Sequence, residues 1–150
     1  MSKLKQQLYL LCGQYIANRE TEIKAAIADA REASANETKS SAGDKYETGV
    51  ETIQQDIDLN ITRLNELNKL KQTLERIIPD QISSIVVPGS IVRTNNGSYY
   101  ISIGAGKIKA EDVTYYAISL ESPIGEKLAG NKAGHKFEFN GRKYVIESVV

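Results

Sequence analysis

Between Lys45 and Ile78 the chain carries apolar side chains at Tyr46, Val50, Ile53, Ile57, Ile61, Leu64, Leu67, Leu70 (or Lys71), Leu74 and Ile77, with no proline until Pro79. Steps of four and three sustained this long are the seam of a helical coiled coil. The intervening Gln, Asp, Asn, Lys, Glu and Thr residues supply a solvated outer face. Pro79 lacks an N–H donor and ends the helix. An earlier stretch, Lys3 to about Ser34, is also free of proline and holds only Gly13. Its apolar residues recur at Leu4, Leu8, Leu11, Tyr15, Ile16, Ile23, Ala26, Ile27 and Ala30. Two helices of about 32 residues, each roughly 48 Å long at 1.5 Å per residue, joined by a short polar segment, predict an antiparallel hairpin.

The joining segment, Ser34 to Asp44, is small and polar with one glycine, Gly43, and predicts a turn. Asp44 is positioned to cap the second helix, and Glu47 three residues on completes a capping-box-like pair. The tip admits two readings. In one, Glu37, Asp44 and Glu47 are solvated residues of a capped turn. In the other, they are carboxylates at the end of a long lever, sharing a metal ion held by a partner.

After Pro79 the periodicity changes. Ser90–Thr94 and Ser98–Ile103 flank Asn95-Asn96-Gly97, a hairpin signal, and Val113–Leu120 follows as a β-branched and aromatic strand. Ile124–Ala129 predicts a short helix entered at Pro123 and closed by Gly130. His135–Phe139 and Arg142–Val149 flank Asn140-Gly141, the strongest hairpin signal of the chain. The expected fold class is therefore α+β. A helical coiled-coil hairpin over 1–79 precedes a small β-rich domain over 80–150, with four or five strands and one short helix.

Charge excludes some functions. The 150 residues hold 19 basic and 19 acidic side chains, eleven against twelve up to Ile78 and eight against seven after it. Neither half advertises nucleic-acid binding by bulk charge, so work near nucleic acid would run through a protein partner. Cys12 is the only cysteine, which rules out an intrachain disulfide or a cysteine cluster for zinc. Its apolar surroundings (Leu8, Leu10, Leu11) predict an inert, buried thiol. No signal peptide or membrane span is expected, and the chain reads as cytoplasmic. His135 has no Ser or Cys nucleophile near it in sequence and is expected to be satisfied or exposed. Tyr99, Tyr100, Tyr115, Tyr116, Phe137, Phe139 and Tyr144 are expected mainly in the core.

Four runs are more specific. They are Val87-Pro88-Gly89-Ser90-Ile91-Val92, Tyr100-Ile101-Ser102-Ile103-Gly104, the continuous stretch from Ala117 to Gly134 with Ser122-Pro123-Ile124 and Leu128-Ala129-Gly130-Asn131-Lys132, and Tyr144-Val145-Ile146. Together they resemble the C-terminal domain of the bacterial GreA/GreB transcription elongation factors, over roughly Val87 to Val149. Arg31-Glu32 and Tyr46 fall where that family has similar residues near its hairpin tip. The resemblance implies an FKBP-like C-terminal domain. It also implies a hairpin that enters the secondary channel of RNA polymerase and meets RNA only indirectly, inside the enzyme. The Ser122, Pro123 and Ile124 turn would belong to the dock at the channel rim. Tip carboxylates would help hold a second Mg²⁺ at the polymerase active site, where backtracked RNA is cut.

The tip departs from the family pattern of Asp-x-x-Glu-Asn directly after Arg-Glu. Ala33 to Gly43 has one carboxylate, Glu37, and a lysine, Lys39. Asp44-Lys45-Tyr46-Glu47 restores the spacing later, on one helix face. Glu37 with Asp44 is the alternative pair. Catalytic candidates are thus Glu37, Asp44 and Glu47. The chain is expected to be an accessory factor, not itself an enzyme, to bind no cofactor alone, and to share Mg²⁺ only with the polymerase. Whether it stimulates cleavage or occupies the channel without it stays open at this level. Two further classes are kept. One is an FKBP-like prolyl isomerase, which needs Tyr99, Tyr100, Tyr115, Phe137 and Phe139 around one cavity. The other is an adaptor that dimerises through the seam; a hairpin that satisfies its own seam predicts a monomer instead. No Cys/His or Ser/His/Asp arrangement supports a condensing enzyme or hydrolase.

Overall fold

The computed structural model describes the backbone of residues 2–40 and 43–150 and the side chains of residues 3–36 and 49–150. Two long helices, α1 (Ser2–Ser40) and α2 (Gly43–Glu75), lead into six strands and a short helix. These are β1 (Ile91–Thr94), β2 (Gly97–Ile101), β3 (Gly106–Ala110), β4 (Val113–Ile118), α3 (Pro123–Leu128), β5 (Lys136–Phe139) and β6 (Arg142–Val149). The fold class is α+β. Among the described residues no helix is long and apolar enough to cross a membrane.

The helices differ from expectation at both ends. Instead of a turn from Ser34, α1 continues to Ser40 and α2 starts at Gly43. Ser34 to Ser40 contains neither glycine nor proline, and its Ala, Glu and Lys residues favour continuing the helix over breaking it. Asp44 consequently falls inside the first turn of α2 rather than at its cap. The side chains of Glu37, Asp44 and Glu47 lie outside the described residues. At the other end α2 stops at Glu75, and Ile77 N–H donates to the Leu74 carbonyl at 3.1 Å in a tighter closing turn. Proline at 79 disfavours helical backbone at the residue before it, so the helix ends ahead of Ile78.

By their contacts the residues group into two compact units, Met1–Tyr15 with Gln72–Val150, and Ile16–Lys71. In the Ile16–Lys71 unit, Ile16, Ile27, Ile57 and Leu67 are buried. Ile53, Asn60 and Leu64 are half-buried between them, a strict alternation of four and three along α2. Ile61 was expected in this seam but is 38% exposed. Asn60 takes the position, one residue earlier, because the step of four from Ile53 to Ile57 is followed by a step of three. Its amide donates to the Asp56 carbonyl at 3.0 Å, within its own helix.

The six strands form one mixed sheet in the order β3-β4-β2-β1-β6-β5. All neighbours are antiparallel except β2 and β4, which pair in parallel with Tyr99 opposite Tyr116 and Tyr100 opposite Ala117. This is one strand more than the four or five expected, the additional one being β3. Gly-Lys-Ile-Lys-Ala has a single β-branched residue, and its strand state comes from pairing along β4. The β3–β4 connection, Glu111-Asp112, takes positive φ at both residues (52° and 62°), and Asn140-Gly141 does the same as expected (52° and 78°). Mirror-image two-residue turns match the twist of the strands they join. Glycine meets that geometry without the Cβ strain that Asp112 bears. Asp112→Gly is therefore expected to raise stability by about 0.5 kcal/mol, read from the denaturant midpoint.

Each face of the sheet is covered differently. On one, Val92, Tyr99, Ile101, Tyr144 and Ile146 form a core with Val86 and with Leu128 of α3. On the other, Ile91, Tyr100, Tyr115 and Ala117 are buried, and the first turns of α1 supply cover. Cys12 Sγ and Ser102 Oγ lie 3.4 Å apart, and the Lys5 ammonium donates to the Gln81 carbonyl. Burial pushes the Cys12 thiol up from its ordinary range, and the bond to Ser102 only partly offsets this. Cys12 should therefore react with Ellman's reagent at least ~100-fold more slowly in the native protein than in denaturant. Equal rates would place the thiol at the surface.

The Tyr100 hydroxyl is buried and has no hydrogen-bond partner among the described residues. Burial, followed by the neighbouring Cys12 and Tyr9, raises its pKa. Because a buried unpaired hydroxyl costs more than it returns, Tyr100→Phe is expected to stabilise the protein by about 1 kcal/mol. A loss of stability in calorimetry would mean that the hydroxyl is bonded in solution.

Candidate functional site

The Ser122-Pro123 turn is built by short-range chemistry. Ser122 is the N-cap of α3, with extended backbone (φ −67°, ψ 156°), and Pro123 opens the helix. The Ser122 hydroxyl accepts from the Gly125 N–H at 3.1 Å and donates to the Ser119 carbonyl at 2.7 Å. Glu126 N–H donates to the Ser122 carbonyl at 2.9 Å and starts the helical ladder. One hydroxyl thus ties the strand exit to the helix entry. Replacing it, as in Ser122→Ala, is expected to cost about 1 kcal/mol.

Gly125 makes this closure sterically feasible. A Cβ there would stand 2.1 Å from the Ser119 carbonyl oxygen and 2.8 Å from Ser122 Oγ. The backbone of α3 lies against the end of β4 because there is no side chain between them.

Of the three expected dock residues, the structure exposes one fully. Pro123 is exposed, Ser122 is half-buried, and Ile124 turns inward to pack on the core that contains Leu128. Glu121, Glu126 and Lys127, also exposed, surround Pro123 in sequence and share its outward position. Ile124, half-buried, also supports the turn from beneath. That role was not visible from its place beside Pro123.

The Leu128 to Lys132 run has a structural task as well. Gly130 takes φ 74° at the end of α3, and the Asn131 amide donates to the Lys127 carbonyl at 2.8 Å. Gly130 N–H donates to the Val86 carbonyl, and Val86 N–H to the Asn131 carbonyl, both at 2.9 Å. This brace secures the far end of α3 to the segment entering the sheet. Gly130 to His135 then line an open depression of about 460 Å³. His135 is half-buried with its ring stacked on Phe137 at 6.1 Å.

The aromatic residues divide between the two sheet faces. Tyr99 and Tyr116 meet at 5.7 Å with their rings tilted by 35° on the α3 side, where Phe137 and Tyr144 stack at 5.0 Å. Tyr100 is adjacent to Tyr99 in β2 and so points to the opposite face. The set Tyr99, Tyr100, Tyr115, Phe137 and Phe139 consequently does not surround one cavity.

Among the described residues no three Asp, Glu, His or Cys side chains stand together as a metal site. Comparison with known proteins gives no match, either to a protein-family model or to a curated protein.

Proposed function

We propose that this chain is a GreA/GreB-like regulator that binds bacterial RNA polymerase, with α1 and α2 as a hairpin in the secondary channel and the Ser122-Pro123 turn as part of the dock. The observation that carries this reading is the turn itself. Ser122 and Gly125 hold Pro123 outward on a rigid strand-to-helix corner, inside the run whose residues resemble that family. The antiparallel pairing of the helices is supported by Lys71 acting on Glu20, and by Leu74 lying 4.0 Å from where a Cβ on Gly13 would be. An FKBP-like arrangement of the domain is supported by a mixed sheet with one short helix packed across it.

In this reading Glu37, Asp44 and Glu47 are the tip carboxylates. They share a Mg²⁺ ion with the polymerase instead of binding one alone, since a magnesium ion needs six oxygen ligands in near-octahedral order. The shared ion would supply the activated water that cuts backtracked RNA. The factor itself is monomeric and acts through the active site of the polymerase.

Transcript cleavage in stalled polymerase complexes tests the catalytic form. Wild-type protein should accelerate cleavage, and the triple variant Glu37→Ala, Asp44→Ala, Glu47→Ala should lose about 100-fold of that acceleration. Binding without any acceleration by the wild type would remove the catalytic form and leave a regulator that occupies the channel.

A further inference from the structure

The sheet face that carries α3 is only partly covered by it. Leu128 belongs to one cluster with Val92, Ile101 and Ile146, whereas toward the β3 and β5 edges Tyr116, Phe137 and Phe139 remain half-exposed. The same face bears three exposed cations. Lys107 pairs opposite Tyr116 and places its Nζ 6.0 Å from the ring centroid; Lys109 follows two residues on; Arg142 pairs opposite Phe139.

Period-two alternation decides what else points this way. Glu138 occupies the opposite parity in β5, as do Lys136 in β5 and Lys143 in β6, while Glu147 sits at the register shift of β6, where the alternation breaks. The regularly paired strand positions of this face, all of them described, therefore hold three cations and no carboxylate. A chain of zero formal net charge concentrates positive charge where its accessible rings lie. Flat π-faces interleaved with cations, on a sheet, provide stacking for bases and counterions for phosphates.

We infer that this face binds single-stranded nucleic acid, with Tyr116 and Phe139 stacking bases and Lys107, Lys109 and Arg142 pairing with the phosphates between them. The inference rests on the sheet alone and stands apart from the polymerase reading. Three phosphate contacts predict a salt slope of about −2 in log K against log salt for a single strand. Duplex of the same length offers no free π-faces and should bind more weakly.

Fluorescence anisotropy of the full chain with labelled oligouridylate and oligothymidylate of about twelve nucleotides tests this directly. Saturable binding with that slope is expected, and comparison of the two oligomers tells whether RNA or DNA is preferred. The exposed triple variant Lys107→Gln, Lys109→Gln, Arg142→Gln should bind at least tenfold more weakly with a slope near zero. Tyr116→Leu should bind about fivefold more weakly or worse. The opposite-face triple variant Arg93→Gln, Lys136→Gln, Lys143→Gln carries the same charge change and should bind as wild type does.

The inference is overturned by absence of binding at low salt, by equal losses in the two triple variants, or by equal affinity for duplex. A proline-rich peptide that binds this face when neither oligonucleotide does would reassign it to peptide and overturn the inference as well.

Discussion

Gly125→Ala is expected to destabilise the protein by about 3 kcal/mol, the upper end of the cost of overpacking. The added Cβ would meet the Ser119 carbonyl at 2.1 Å and Ser122 Oγ at 2.8 Å. Neither can retreat cheaply. The carbonyl is backbone at the exit of β4 and already accepts from the Ser122 hydroxyl and the Ser122 N–H. The hydroxyl is the cap of α3. Relief must come from lifting α3 off the sheet, which would withdraw Leu128, a fully buried member of the core. Denaturant unfolding should show a lowered midpoint, and any polymerase contact made through Pro123 should weaken with it. A midpoint within about 0.5 kcal/mol of wild type would mean that the strand-to-helix corner is looser than described.

Leu8→Ala is the second large effect, with an expected loss of about 3 kcal/mol within the usual range for a leucine truncated to alanine in a core. Leu8 is completely buried, one turn before Cys12, whose thiol meets Ser102 at the end of β2. These first turns of α1 belong to the same compact unit as the sheet. The damage should therefore register in the β-rich unit and not only in the helices. Loss of tyrosine near-ultraviolet signal together with helical signal, in one transition, is the expected result. Two separated transitions, with only the helical one shifted, would detach Leu8 from the sheet's core.

The long helices were legible because a 3.5-residue repeat states its own period, yet the repeat says nothing about what covers each stripe. Leu8 reads as part of a helical seam but, with Cys12 one turn on, faces the sheet. Ile61 looked the better seam residue because it is apolar, while geometry gives the place to Asn60. The Asn140-Gly141 hairpin and the Ser122-Pro123 helix start could be read because their signals act over two to four residues. Strand β3 could not, since Lys107, Ile108 and Lys109 become a strand only by pairing with β4, in a register that no local pattern encodes. The same limit hid the cationic aromatic face, whose residues come from four strands. Ile124 sits beside Pro123 in sequence, and only packing reveals that it also rests on the core.

Whether the chain binds core bacterial RNA polymerase is the most direct test, measured by interferometry on immobilised polymerase with wild-type protein and Pro123→Asp. Aspartate suits the first turn of a helix, so the variant should fold as wild type does while losing its apolar contact. The proposed function predicts saturable binding by the wild type and at least ~10-fold weaker binding by the variant, as for a central contact residue. No binding of the wild type at micromolar concentrations would contradict it.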